Sequence, residues 1–248
     1  MNVSLYQAAA AMNANSRWQE LISQNLASSS LPGFKKQELS FDAIQAGVMP
    51  SSTGQPAPAI LMPRTTGATN LSPGEVNPTG VKTDLAIEGP GFFEVQLPNG
   101  QHGYTRDGEF QLNAQNQLVT KQGYPVMGES GPLQLTASNP APLTVAPTGE
   151  VSQGSDAKGK IKLVTFNDPH RLTAIGAGYF KAEDPKLVAG SAQGSVLRQG
   201  YLENANMLPT TEMANLITSL RMFEANQKVM TMQDDRMGRI ITDLGTPA

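Results

Sequence analysis

The sequence predicts an α+β protein in which long helices at the N- and C-terminal ends pair as a coiled coil around a central all-β domain of short antiparallel strands. Three observations carry this. Apolar residues recur at alternating spacings of three and four at both ends, a proline-rich stretch follows the first of these, and the middle breaks into short runs separated by turn signals.

The first helix is marked by Leu5, Ala8, Met12, Asn15, Gln19, Ile22 and Leu26, a heptad seam with polar residues at its centre. It ends in "SSSLPGFKK". Ser28 to Ser30 break the periodicity, Pro32 forbids continuation, and Gly33 permits a left-handed turn. Phe34 then offers a ring either to neighbouring subunits or to the chain's own C-terminal helix, and both readings stay open. Lys35 and Lys36 are expected to be solvated or paired across a subunit boundary.

Residues 36–80 read as an extended linker, because Pro50, Pro56, Pro58, Pro63, Pro73 and Pro78 stand there among Ser, Thr and Gly. From residue 81 to 205 the pattern changes to short strands, "DLAIEG", "GFFEVQL", "HGYTR", "GEFQL", "QLVT", "LTVAP", "KIKLVTF" and "AGYF", with turns at "PNG" and "NAQN".

The last helix carries the stronger seam, through Met213, Leu216, Leu220, Phe223, Gln227, Met230, Asp234, Met237, Ile241 and Leu244. Pro209 suits its first turn, Glu212 the positive end of its dipole, and Gly245 its stop. A helix of about 35 residues is roughly 50 Å long at 1.5 Å per residue. Its narrow seam cannot bury itself alone, so residues 1–35 together with 206–248 are predicted to form one helical core domain, disordered or loosely paired until subunits bury it.

Composition narrows the function. With 18 Lys and Arg against 21 Asp and Glu, the net charge of -3 gives no basis for a polyanion partner. The absence of cysteine excludes a disulfide framework and a cysteine-ligated zinc site; lineage composition and passage through an oxidising compartment both explain it. Met1 to Trp18 has no basic n-region, and no apolar run reaches about 18 residues, so neither a cleaved signal nor a membrane span is expected.

No enzymatic chemistry is nominated, and no catalytic residue, cofactor site or metal site is assigned. His102 and His170 stand in turns without a second histidine or carboxylate cluster at ligand spacing. "GSDAKGKI", Gly154 to Ile161, matches a phosphate-binding loop for seven positions, but Ile161 replaces the Ser or Thr that holds magnesium and a strand follows where a helix should open. It is expected to be a β-turn.

Three segments resemble the flagellar rod and hook family. Asn25, Leu26, Ala27, Gly33, Phe34 and Lys35 match its N-terminal signature, from which Gln24, Ser28 and Leu31 depart. Asp84 to Gly128 looks like its core β module, through Gly89, Gly91, Phe92 and Phe93, then Tyr104, Arg106 and Gly108, with Gln117 in place of a glycine. Gln199 to Met230 is similar to its C-terminal pattern, with Ala205 and Met207 as departures.

The resemblance implies a non-enzymatic structural subunit of the bacterial flagellar basal-body rod, assembling through its terminal helices with copies of itself and other rod subunits. It also implies neighbours among hook-proximal rod proteins, the surrounding ring proteins and the type III export apparatus, and a place in the periplasm-spanning rod. Chain length, Pro32 to Phe34 and "GESGPLQL" at Gly128 to Leu135 point first to the proximal-rod branch, then to the distal-rod branch. A rival reading is a periplasmic enzyme or binding module with a helical dimerisation stalk, whose mark would be a deep pocket with convergent polar groups in residues 81–200.

Overall fold

The computed structural model describes residues 3–48, 59–136 and 141–245, with side chains described for these except 3–5, 43–48, 59–63, 241 and 243–245. Two compact units emerge. The first gathers Met1–Ala27, Gln37–Thr69 and Leu208–Ala248; the second gathers Ser28–Lys36 and Asn70–Met207.

In the first unit, α1 (Val3–Ala27) packs against an antiparallel hairpin of β1 (Gln37–Val48) and β2 (Ala59–Thr69) and against α2 (Pro209–Gly245). The hairpin occupies much of the stretch read in the sequence as an extended linker. β1 supplies period-two alternation in "ELSFDAI", and Pro63 is tolerated in β2 because a two-stranded ribbon has free edges. Trp18 of α1 meets Phe41 of β1 edge to face at 5.8 Å.

The expected long coiled coil does not form. α1 is 25 residues against 37 for α2, and its contacts are divided between α2 and the hairpin. Of its five buried residues among those described, Ala8, Ala14, Asn15, Ile22 and Asn25, four are small or polar and only Ile22 is a large aliphatic. On α2 the least exposed positions are Glu212, Asn215, Leu216, Ser219, Phe223, Asn226, Met230 and Gln233, five of the eight polar. A knobs-into-holes seam needs large aliphatic residues at both core positions of both helices, and neither stripe provides them.

α2 begins where its sequence signals place it. Pro209 takes the first turn, where its missing N–H costs nothing, and Glu212 lies buried in that turn. No described helix is long and apolar enough to cross a membrane.

The second unit holds the remaining strands: β3 (Val76–Pro78), β4 (Leu85–Glu88), β5 (Phe92–Gln96), β6 (His102–Thr105), β7 (Phe110–Leu112), β8 (Leu118–Thr120), β9 (Met127–Gly128), β10 (Gly131–Pro132), β11 (Leu143–Val145), β12 (Glu150–Gln153), β13 (Asp156–Lys160), β14 (Leu163–Phe166), β15 (Thr173–Gly176), β16 (Tyr179–Lys181), β17 (Ala189–Ser191), β18 (Val196–Gln199) and β19 (Tyr201–Glu203). Its largest sheet has the order β15-β16-β6-β5-β14-β17, antiparallel throughout.

Neighbouring side chains on a strand point to opposite faces, so β5 divides its two phenylalanines between two cores. Phe93 joins Leu85, Val95, Phe110, Leu118 and Val126; Phe92 joins Tyr104, Val164, Phe166 and Phe180. The unit closes late in the chain, as β18 pairs with β4 and β19 with β3.

Candidate functional site

The three segments that carry the family resemblance converge in the second unit on one buried carboxylate. Glu203, the last residue of β19, is 1% exposed. Its Oε1 pairs with Nζ of Lys35 and accepts the Gly74 N–H at 2.9 Å, while its Oε2 pairs with Nη1 of Arg106 at 3.2 Å. Lys35 comes from the segment after α1, Arg106 follows β6, and Glu203 precedes α2.

Two cations against one anion leave a surplus positive charge, which backbone carbonyls absorb. Lys35 Nζ donates to the Ser72 carbonyl at 2.8 Å, and Arg106 donates to the carbonyls of Ile87 at 3.2 Å and Gly89 at 2.7 Å. Arg106 also lies over the Phe92 ring at 5.5 Å, a cation-π contact. Burial pushes the Lys35 ammonium below the usual lysine range; Glu203 opposes that drop and Arg106 adds to it. Burial lowers Arg106 likewise, against the pull of Glu203.

Lys35 was expected to be solvated or paired across a subunit boundary. It is instead 2% exposed and paired within its own chain, because the left-handed turn at Gly33 aims it inward. Gly33 has φ +64°, donates its N–H to the Glu203 carbonyl at 2.6 Å, and packs so closely that a Cβ would lie 2.2 Å from the Arg106 carbonyl carbon. Only glycine fits. A second clamp stands beside it: Asn206 accepts from the Lys36 N–H at 2.8 Å and donates to the carbonyls of Asn70 at 2.7 Å and Ser72 at 3.0 Å.

Glu203 and Asn206 were not nominated from the sequence. Both lie in the "GYLENAN" stretch of the C-terminal resemblance, and a glutamate at the end of a short strand in an uncharged run was the available signal.

Other nominated residues divide by position. Pro32 and Phe34 are half-buried, with the Phe34 carbonyl accepting from the Asn206 N–H at 3.2 Å. Phe92, Phe93 and Tyr104 are core residues of the β unit. Gly91 and Gly108 are buried and Gly89 is exposed; a Cβ on Gly108 would meet the Leu85 carbonyl oxygen at 1.6 Å. Asn25 belongs to the first unit, where its amide exchanges two hydrogen bonds with the Gln37 backbone, 2.8 and 3.0 Å, tying the end of α1 to the start of β1.

The nominated helix seam also splits. Ile22 is buried, Met12, Leu26, Leu216, Phe223 and Met230 are half-buried, and Leu220 and Met237 are exposed at 47% each. The side chains of Leu5, Ile241 and Leu244 lie outside those described. Among the described residues, α2 exposes eight large apolar side chains: Met213, Ile217, Leu220, Met222, Val229, Met232, Met237 and Ile240. Met213, Ile217 and Leu220, at spacings of four and three, share one face of the helix, and the other five are spread round it.

A groove of about 390 Å³ lies on one face of the main sheet, lined by Glu94, His102, Tyr104, Lys160, Lys162 and Ser191 among others. Its polar groups pair with each other: Glu94 with His102 at 2.7 Å and Lys162 at 3.0 Å, and Lys160 with Glu129 at 2.8 Å. Glu94 is buried, and these two partners satisfy its carboxylate, while the Lys160–Glu129 pair is solvent-exposed. "GSDAKGK" forms the turn between β12 and β13 and then β13 itself, a geometry with no helix to receive phosphate.

Comparison with known proteins supplies the family. A family model described as the flagellar hook protein FlgE/F/G D1 domain matches residues 86–153, and one described as the flagellar basal body rod FlgEFG protein C-terminal matches residues 198–243. The chain is 30% identical to the flagellar basal-body rod protein FlgG of Buchnera aphidicola, over 96% of this chain and 98% of that one. It is 31% identical to FlgF of Salmonella typhimurium, covering 96% and 97%, and 33% identical to FlgF of Caulobacter vibrioides, covering 85% of each. FlgF and FlgG relatives match at the same level. The chain belongs to the flagellar basal-body rod protein family, and it is a structural subunit of the flagellar rod.

Proposed function

We propose that this subunit joins the rod through the exposed apolar face of α2, packing against helices of its own copies and of neighbouring rod subunits. The observation that carries the reading is that surface itself, with Leu220 47%, Ile217 53% and Met213 50% exposed on a helix that the first unit covers on one side only. Apolar area of this kind is removed from water at roughly 25 cal/mol per Å² when a partner covers it. Contacts that run head to tail without closing generate an open filament, which an axle requires.

The subunit is a scaffold and not a catalyst, and the proximal rod is its place, a choice resting on Pro32 to Phe34 and Gly128 to Leu135. In this reading it reaches the periplasm-spanning rod through the flagellar type III export apparatus and meets the surrounding ring proteins there.

Leu220→Asp tests the reading. Leu220 is about half exposed, so its replacement costs the folded monomer little, about 1 kcal/mol from helix propensity and partial burial. Far-UV circular dichroism should be nearly unchanged while self-association in sedimentation and motility of the complemented strain are lost. Association equal to that of the unaltered chain would show that this face is not the contact.

A further inference from the structure

We propose that the exposed methionines of α2, Met213, Met222, Met232 and Met237, are oxidation sites, and that peroxides acting on them before assembly withdraw the subunit from the rod. The inference rests on the α2 surface being the assembly face.

The chain has no cysteine, so thioethers are its only oxidisable sulfurs. The four methionines are 50%, 48%, 64% and 47% exposed, and they supply half of the eight large apolar side chains that α2 presents among the described residues. Met12, Met127, Met207 and Met230 are half-buried by comparison. Spread from 213 to 237, the four run along roughly 36 Å of helix at 1.5 Å per residue, and at 3.6 residues per turn they point to different sides of it. Met213 shares the face of Ile217 and Leu220, and neighbours that surround α2 meet the other three.

The chemistry is two-electron oxygen transfer. The thioether sulfur attacks one peroxide oxygen, the O–O bond breaks, an S–O bond forms, and hydrogen peroxide is reduced to water. A flexible apolar side chain becomes a polar one. Before assembly the sulfoxide is hydrated and harmless to the monomer; against a neighbouring helix it must lose that water without a matching donor. Methionine also suits a face that meets non-identical helices, since its unbranched thioether repacks easily. Susceptibility to oxidation accompanies that adaptability.

The test treats the full chain with dilute hydrogen peroxide, maps sulfoxides by peptide mass spectrometry, and follows self-association by sedimentation. Met213, Met222, Met232 and Met237 should oxidise roughly five-fold or more faster than Met12 and Met127. Association of the oxidised chain should weaken by about ten-fold or more, while a variant with all four methionines replaced by leucine should associate before and after peroxide. Equal rates at all methionines, unimpaired association of the oxidised chain, or loss of association in the leucine variant after peroxide would each overturn the proposal. Failure of the untreated chain to associate would overturn the assembly face first and this inference with it.

Discussion

Arg106 and Glu203 meet in a buried ion pair, Nη1 to Oε2 at 3.2 Å, although 97 residues separate them. Lys35 completes the cluster from 168 residues away. The pairing fixes where the segment after α1 and the end of β19 sit within the β unit, and it sets unequal demands on its three members. Glu203 is the only anion, so its loss strands two buried cations.

Glu203→Gln should therefore destabilise the β unit by about 3–5 kcal/mol, the cost of breaking a buried pair by removing one partner. Lys35→Met should cost less, about 1–3 kcal/mol, because the Arg106–Glu203 pair survives. Urea unfolding followed by far-UV circular dichroism checks the order; equal losses would mean that the charge balance is not what holds the cluster.

Gly33→Ala is expected to cost about 3 kcal/mol or more, since it adds a left-handed backbone penalty to a clash with the Arg106 carbonyl. The φ of +64° and the 2.2 Å approach both argue for this. Thermal melting of the purified variant measures it. A melting temperature like that of the unaltered chain would show that the segment swings clear of Arg106.

Asn25→Ala should loosen the first unit by about 1–3 kcal/mol, because it leaves the Gln37 N–H and C=O without their partner. Trp18, the only tryptophan, lies beside Phe41 at 5.8 Å and reports on this unit through its fluorescence. The fluorescence transition in urea should shift to lower concentration, with the β-sheet transition unmoved.

Asp107 gives the molecule a pH signature. It is 5% exposed, and burial pushes its carboxyl up to about 6 from an ordinary 3.8, against the Glu109 N–H that it accepts. A folded-state value above the unfolded one means that the native protein holds a proton the unfolded chain has released. Stability contributed by this group is present below about pH 4, falls as pH rises to about 6, and is level above, a change of roughly 3 kcal/mol at 1.36 kcal/mol per unit. Asp107→Asn should abolish that slope and raise stability at pH 7 by about 1–3 kcal/mol. Denaturation midpoints from pH 4 to 8, compared between the two proteins, decide it.

Local pattern was legible where a residue's immediate neighbours settle its state. The α2 boundaries follow from Pro209 and Gly245, the turn after α1 from Ser28 to Gly33, and the β-unit strands from alternating runs such as "FFEVQ". The hairpin of β1 and β2 was missed because prolines outweighed the alternation in "ELSFDAI", and a two-stranded ribbon tolerates proline at its edges. The coiled coil was over-read because a spacing of three and four marks a helix's apolar residues without saying what covers them. Leu220 and Met237 satisfy the spacing and remain exposed.

The sequence by itself determined the two terminal helices, the short-stranded middle and, through three separated motifs, the rod family. Tertiary structure alone decided that those motifs meet at Glu203, that Lys35 turns inward, and which face of α2 stays open. The physical reason is range: helix caps, turns and strand alternation are set by contacts within a few residues. A buried charge cluster is set by contacts across 97 and 168 residues, and only the closed fold brings them together.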